Sequence, residues 1–331
     1  MKIGFYSAKP SSPSSQFYAT ALQKINAYKE HSFSFVEKLE VDKLQEFDVV
    51  LYFGNCDPKI STKRPFKLGL LDPRADSEVD LQCFDFVVFN GIESRDFFSD
   101  KVDKSFVYWV FPEAPAKTPL KAKKTFVLGY HGNRFHLRAM YPRITDAINR
   151  IADEYDVELW AMYNFRNKHR APFPEYKFKF KVEHINFSES KYSSYMANAD
   201  VGIIPQIIPV KNNRIFRFLI GNWKRKHNEH YWDYFLRFKE TTNIGRAILF
   251  SQYKIPVVAD MTPSACRYIR EDVNGFVAAS TGGWYKSIRK LIEKKQLREK
   301  LGEGNFKMYQ TVFKPEVQND QLIRYLEEEI L

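Results

Sequence analysis

Short apolar runs alternate with stretches of helical spacing from the first residues onward. Residues 3–7 form an apolar run that a Ser/Pro loop, 9–15, closes. Apolar positions at Phe17, Ala21, Leu22 and Ile25 then predict a helix over 16–28, with Ser14 or Ser15 as its cap. Residues 33–36, 49–53, 67–71 and 86–90 continue the series of short buried strands, each closed by a polar loop, and Gly54-Asn55 ends the second of them. Strand-like runs separated by helical spacers predict a doubly wound sheet with ligand loops at its carboxyl edge.

Residues 111–124 break this rhythm with Pro112, Pro115, Pro119 and four lysines, which marks a linker. The alternation restarts near Thr125: strand 126–130, loop 131–136, helix 137–155, strand 157–163. Met140, Ile144, Ala147, Ile148 and Ile151 share one face of that helix. Further elements follow at 192–198 (helix), 201–205 (strand), 245–253 (helix), 256–259 (strand), 284–301 and 317–331 (helices). The expected fold is α/β, two Rossmann-like domains facing a cleft. Residues 1–116 form the first domain and 117–316 the second, while a C-terminal helix, 317–331, is placed to pack back on the first.

Residues 207–240 do not fit the alternation. Basic residues such as Arg214, Arg217, Lys224 and Arg237 are mixed there with Phe216, Trp223, Trp232 and Phe238, so the segment reads as an insertion between strand and helix. A helical hairpin with its aromatic residues turned inward, or a surface for an acceptor, a membrane or a partner, would each produce that composition.

Length and charge narrow the classes. A chain of 331 residues exceeds one ordinary core. No run approaches the roughly 20 apolar residues a membrane helix needs, and the N-terminus lacks the pattern of a signal peptide. Cys56, Cys83 and Cys266 are too few and too scattered for a disulfide framework or a thiolate metal site. A cytoplasmic protein is expected, and the net charge of +11 favours anionic partners. Nucleic acid is not expected among them, since no recognition motif accompanies the charge.

Four stretches carry a resemblance: LGYHGN at 128–133, ADVGIIP at 199–205, GRAILF with KIPVVA at 245–250 and 254–259, and IREDVNGFV at 269–277, with a tail over 284–302. In this order and spacing they resemble the nucleotide-binding half of the group 1 glycosyltransferases, which have the GT-B fold. The resemblance covers roughly the last 200 residues. It implies a nucleotide-sugar donor and a glycan or glycolipid acceptor. No Asp-x-Asp triplet or histidine spacing calls for a metal, and no cofactor is expected. The positive charge suits work at the inner face of a membrane, with the anionic surface as an optional partner.

In such a site a departing nucleoside diphosphate is stabilised by backbone amides, helix N-termini and cationic side chains. The candidates for donor binding are Gly132, Asn133, Arg134 and His136 in one loop, and Glu240, Thr241, Thr242, Asn243, Gly245 and Arg246 at the start of a helix. An ordinary N-cap would explain Thr242 or Asn243 equally, whereas an arginine in a first turn opposes the helix dipole and points to an anion. The family carries two glutamates eight residues apart across this helix. Here those positions are Thr241 and Leu249; Glu240 lies beside the first, and nothing acidic replaces the second. A GT-B-like binding subunit without turnover is therefore the alternative function. His131, Asp72 and Glu113 are the candidates for a catalytic base if the reaction inverts. Ser11, Ser12, Ser14 and Ser15 form a polar loop that would face acceptor or phosphate.

Overall fold

Twelve parallel strands, six to a sheet, organise the described residues of the computed structural model, which are 1–55, 57–73, 79–109, 111–118, 125–165, 175–207 and 243–331. The first sheet contains β1 (Lys2–Ser7), β2 (Ser32–Phe35), β3 (Val49–Phe53), β4 (Lys67–Leu71), β5 (Phe86–Phe89) and β6 (Ser105–Val107) in the order β2-β1-β3-β4-β5-β6. Its central strands are uniformly apolar because packing covers both faces. Leu51 and Val88 meet Tyr18, Leu22 and Ile25 on one side. Val50, Leu70 and Val87 meet Leu44, Phe66 and Phe98 on the other.

The second sheet contains β7 (Phe126–His131), β8 (Val157–Tyr163), β9 (Lys181–Asn186), β10 (Val201–Ile204), β11 (Val257–Asp260) and β12 (Gly275–Ala278) in the order β12-β11-β10-β7-β8-β9. The chain builds outward from β7 to β9, then returns to build β10 to β12 on the other side of β7. Connections leave in opposite directions from β7 and β10, so a crevice opens at their carboxyl ends. The equivalent switch in the first sheet lies between β1 and β3.

Several expected boundaries move. Ser12, not Ser14 or Ser15, caps the helix Pro13–Gln23: its Oγ accepts from the Ser15 N–H at 3.2 Å, and Pro13 takes the first turn, where no amide donor is needed. The helix expected over 137–155 is two, Arg134–Ala139 and Arg143–Ala152, interrupted at Pro142. That expected over 284–301 is also two, Thr281–Glu293 and Lys295–Met308, because Lys294 leaves helical geometry (φ −112°, ψ 80°). Strands β6 and β9 were not anticipated; β9 is an edge strand whose residues are mostly only partly buried, so no apolar run advertises it.

The chain crosses between the domains twice, and the crossings touch. After β6 the Trp109 ring meets Phe313 edge-on at 5.9 Å. Residues 112–118 then run along the second domain, where Gln252 Oε1 accepts from the Ala114 N–H at 2.7 Å and Tyr253 Oη donates to the Pro115 carbonyl at 2.7 Å. On the return crossing the helix Pro315–Tyr325 lies on the first domain. Leu322, Ile323, Leu326 and Ile330 join the core of Ile3, Leu22 and Ile25, and Asn319 accepts from the Tyr108 hydroxyl while donating to the Ala21 carbonyl at 2.8 Å. Among the described residues, no helix is long and apolar enough to cross a membrane.

Candidate functional site

The carboxyl end of β7 turns through Gly132, whose φ of +138° is strained for any residue with a side chain. A Cβ there would lie 3.3 Å from both Arg246 Cδ and Tyr130 Oη. The missing side chain thus lets Arg246 lie across the loop. Its guanidinium sits 5.6 Å from the centre of the Tyr130 ring, and Nη2 donates to the Pro205 carbonyl beyond β10 at 3.2 Å. Nη1 is buried and has no hydrogen-bond partner among the described residues. One cation therefore spans the ends of the two strands that flank the switch point, with unused donor capacity.

Arg246 rides on the helix Gly245–Ser251. A chain of buried polar groups fixes where that helix starts. Asp260, fully buried at the end of β11, accepts from the Gln206 and Ile207 N–H groups, each at 2.7 Å, and from Trp284 Nε1 at 3.1 Å, and pairs with Arg143 at 2.6 Å. Gln206 in turn donates through Nε2 to the Asn243 carbonyl at 2.6 Å. Asn243 Oδ1 accepts from the Gly245 N–H at 3.0 Å, so this side chain acts as a local cap. Asp260 and Gln206 were not singled out from sequence; an acidic residue closing an apolar strand was the one available signal.

The other candidates separate. Arg134 is buried but turned toward β8, where Nη1 donates to Tyr163 Oη at 2.9 Å; that hydroxyl lies 3.0 Å from His184 Nδ1 on β9. Arg134 thus bonds on the β8 side of β7 and Arg246 on the β10 side. Asn133 is exposed and caps the helix Arg134–Ala139 through the Phe135 N–H at 2.9 Å, with His136 half-buried on the same turn. Glu240, Thr241, Thr242 and most of the 207–240 insertion lie outside the described residues.

His131 does reach the crevice, but in a setting unsuited to a base. Its ring packs edge-on against Phe250 and Tyr192, each at 5.1 Å, and Nε2 is 3.4 Å from Tyr192 Oη. Burial, and then the Arg246 charge, pull its imidazole down to about 3. It is neutral near pH 7 and too weakly basic for efficient proton transfer.

In the first domain Asp72 ends β4, buried, with a left-handed φ of 53°; such strain in a residue other than glycine is concentrated at functional sites. Glu113 is placed elsewhere. It pairs with Lys24, which also holds Glu316 at 2.9 Å, beyond the far end of Pro13–Gln23 and roughly 16 Å from its cap by helical rise. Its carboxylate belongs to the domain crossing, not to the carboxyl edge. Of the four serines, Ser12 is used as the cap and Ser15 is buried, while Ser14 is half-buried and Ser11 exposed.

Three solved structures are similar over nearly the whole chain. A glycosyltransferase from Rickettsia africae superposes with a TM-score of 0.63 at 11% identity, covering 98% of each chain. Anabaena HepE in complex with UDP gives 0.60 at 13%, covering 99% of this chain and 100% of that one. Sucrose-phosphate synthase from Thermosynechococcus elongatus gives 0.58 at 10%, covering 99% and 98%. Neither a protein-family model nor a curated protein matches the chain. The architecture is GT-B: two Rossmann-like α/β domains, each with a six-stranded parallel sheet.

Proposed function

We propose that the chain is a glycosyltransferase that binds a nucleoside diphosphate sugar between the Gly132 turn and Arg246 and transfers the sugar to a glycan or glycolipid acceptor. The carrying observation is the buried Nη1 of Arg246, unpartnered among the described residues, at the switch point of the second sheet. A buried donor without an acceptor costs about 1–3 kcal/mol, and a phosphate oxygen would satisfy it. The similarity to HepE, solved with UDP, supports the same reading.

In the transfer, the bond from the sugar's anomeric carbon to the diphosphate breaks and one to an acceptor oxygen forms. Negative charge gathers on the diphosphate, where Arg246 and the Gly132 turn stabilise it without calling on a divalent ion. For an inverting reaction, Asp72 is the carboxylate assigned to the acceptor's proton. The +11 charge supports work at an anionic membrane surface, on the cytoplasmic side. A second reading, a binding subunit without turnover, draws on Leu249: it occupies the position of the resembling family's second glutamate and packs against the core.

Nucleoside diphosphates (UDP, GDP, CDP) screened by thermal shift, then assayed as their sugar conjugates for hydrolysis and transfer, test both readings. At least one should raise the melting temperature. Arg246→Ala should weaken its binding at least tenfold, as for lost hydrogen bonds to a charged group worth about 1.5–3 kcal/mol. Binding with neither hydrolysis nor transfer would favour the subunit. No shift from any of the three would sink the donor site.

A further inference from the structure

The domains also meet where two short helices face each other by their N-termini: Ile92–Phe97, which follows β5 in the first domain, and Pro263–Tyr268, which follows β11 in the second. Glu93 lies between them, buried. Its Oε1 accepts from the Ser264 N–H at 2.9 Å and its Oε2 from the Ser264 hydroxyl, while Ser264 Oγ accepts from the Ile92 N–H at 3.1 Å. A carboxylate in that position neutralises two dipole ends that would otherwise repel. Burial raises the Glu93 pKa while the Ser264 bonds oppose the rise, as expected for an anion held out of water.

The contact continues toward the donor side. Thr262 caps the same helix as Ser264 by accepting from the Ala265 N–H at 3.4 Å, and its hydroxyl donates to Gln206 Oε1 at 3.2 Å. Ser264 and Thr262 share one helix start, so the Glu93 contact that holds Ser264 also places the hydroxyl that Gln206 receives. Gln206 Nε2 holds the Asn243 carbonyl at 2.6 Å, and Asn243 Oδ1 holds the Gly245 N–H at 3.0 Å, one residue before Arg246. Apart from the shared start of the helix Pro263–Tyr268, the links are hydrogen bonds between buried or half-buried groups, where such bonds are strong and an unpaired group is costly.

We propose that Glu93 is a positioning residue: an interdomain clasp that sets the placement of the first domain and, through Thr262, Gln206 and Asn243, the pose of Arg246 toward a nucleoside diphosphate. Its effect on the donor rests on the function proposed above; its effect on domain placement does not.

The two are read separately. Spin labels at positions 101 and 300, both exposed and one in each domain, report the interdomain distance distribution of the full chain after its native cysteines are replaced by serine. Titration calorimetry with UDP reports the site. Glu93→Ala should broaden the distribution and weaken UDP about tenfold, the scale of coupling through such networks. Glu93→Gln, which keeps the shape and can still accept from the Ser264 N–H, should remain within about twofold. Ser264→Ala, a milder cut at the same contact, should fall between them and keeps the test usable if Glu93→Ala folds poorly. A distribution in Glu93→Ala and Ser264→Ala as narrow as in the parent overturns the clasp. So does UDP affinity unchanged in both. If the parent binds no nucleoside diphosphate, the donor reading fails, and the distances alone decide the clasp.

Discussion

A histidine at the carboxyl end of a strand invites a role in proton transfer, yet His131 is surrounded by Phe250, Tyr192 and the Arg246 charge. Its folded pKa of about 3 lies below the ordinary value near 6.5. Between those values the unfolded chain binds the extra proton and the folded chain does not, so this group's stabilising contribution is present above pH 6.5 and falls as the pH falls. The slope is about 1.4 kcal/mol per pH unit within the window. Urea unfolding of the parent and of His131→Gln between pH 6.5 and 4.5 isolates it: their stability difference should shrink or reverse toward acid, because only the parent pays this proton-linked penalty. A difference constant with pH would show that the imidazole is not held neutral. Arg246, by contrast, is proposed as a donor-binding residue, and its alanine variant is the direct test of the site.

At the scale of elements, the pose of Arg246 depends on how closely its helix lies on the sheet. Gly202 on β10 has no side chain, and the Phe250 ring fills the space; a Cβ at Gly202 would fall 2.4 Å from Phe250 Cδ2. Gly202→Ala should therefore cost about 1–3 kcal/mol by overpacking and lift the helix from the sheet. The melting temperature should drop and the affinity for the proposed diphosphate should weaken with it. Adding Phe250→Leu should recover part of the loss, and a double variant no better than the single one would count against this packing account. The helix pattern in the sequence foresaw the element at 245–253, and the structure ends it at Ser251. What the pattern could not show is that a ring on the helix and a glycine on the strand are fitted to each other.

For the whole molecule, the C-terminal helix ties the first domain to the chain's return crossing. Asn319 is fully buried and satisfies Tyr108 and Ala21 at once. Asn319→Ala leaves both without their partner and should cost about 1–3 kcal/mol. Hydrogen exchange should locate the loss: faster over residues 315–330 and the helix Pro13–Gln23, and unchanged in β7 and β8. Uniform acceleration in both domains would instead mean that the two unfold as one unit.

The alternation of apolar runs and helical spacers, and with it the order of most strands and the restart near Thr125, was legible in the sequence, because burying a strand or a helix face demands a local pattern. So was the candidacy of Gly132 and Arg246, each unusual for its position. The direction of a side chain was not. Arg134 in the glycine loop and Arg246 in a helix's first turn both read as donor-binding cations, but the hydroxyl of Tyr163 draws one to the β8 side and the Pro205 carbonyl holds the other at β10. Glu93 and Ser264, 171 residues apart, carry no local sign of each other. Sequence determined the elements because propensity and periodicity act between near neighbours; tertiary structure alone decided which polar groups meet, because those partners come from distant parts of the chain and are chosen by what burial leaves unsatisfied.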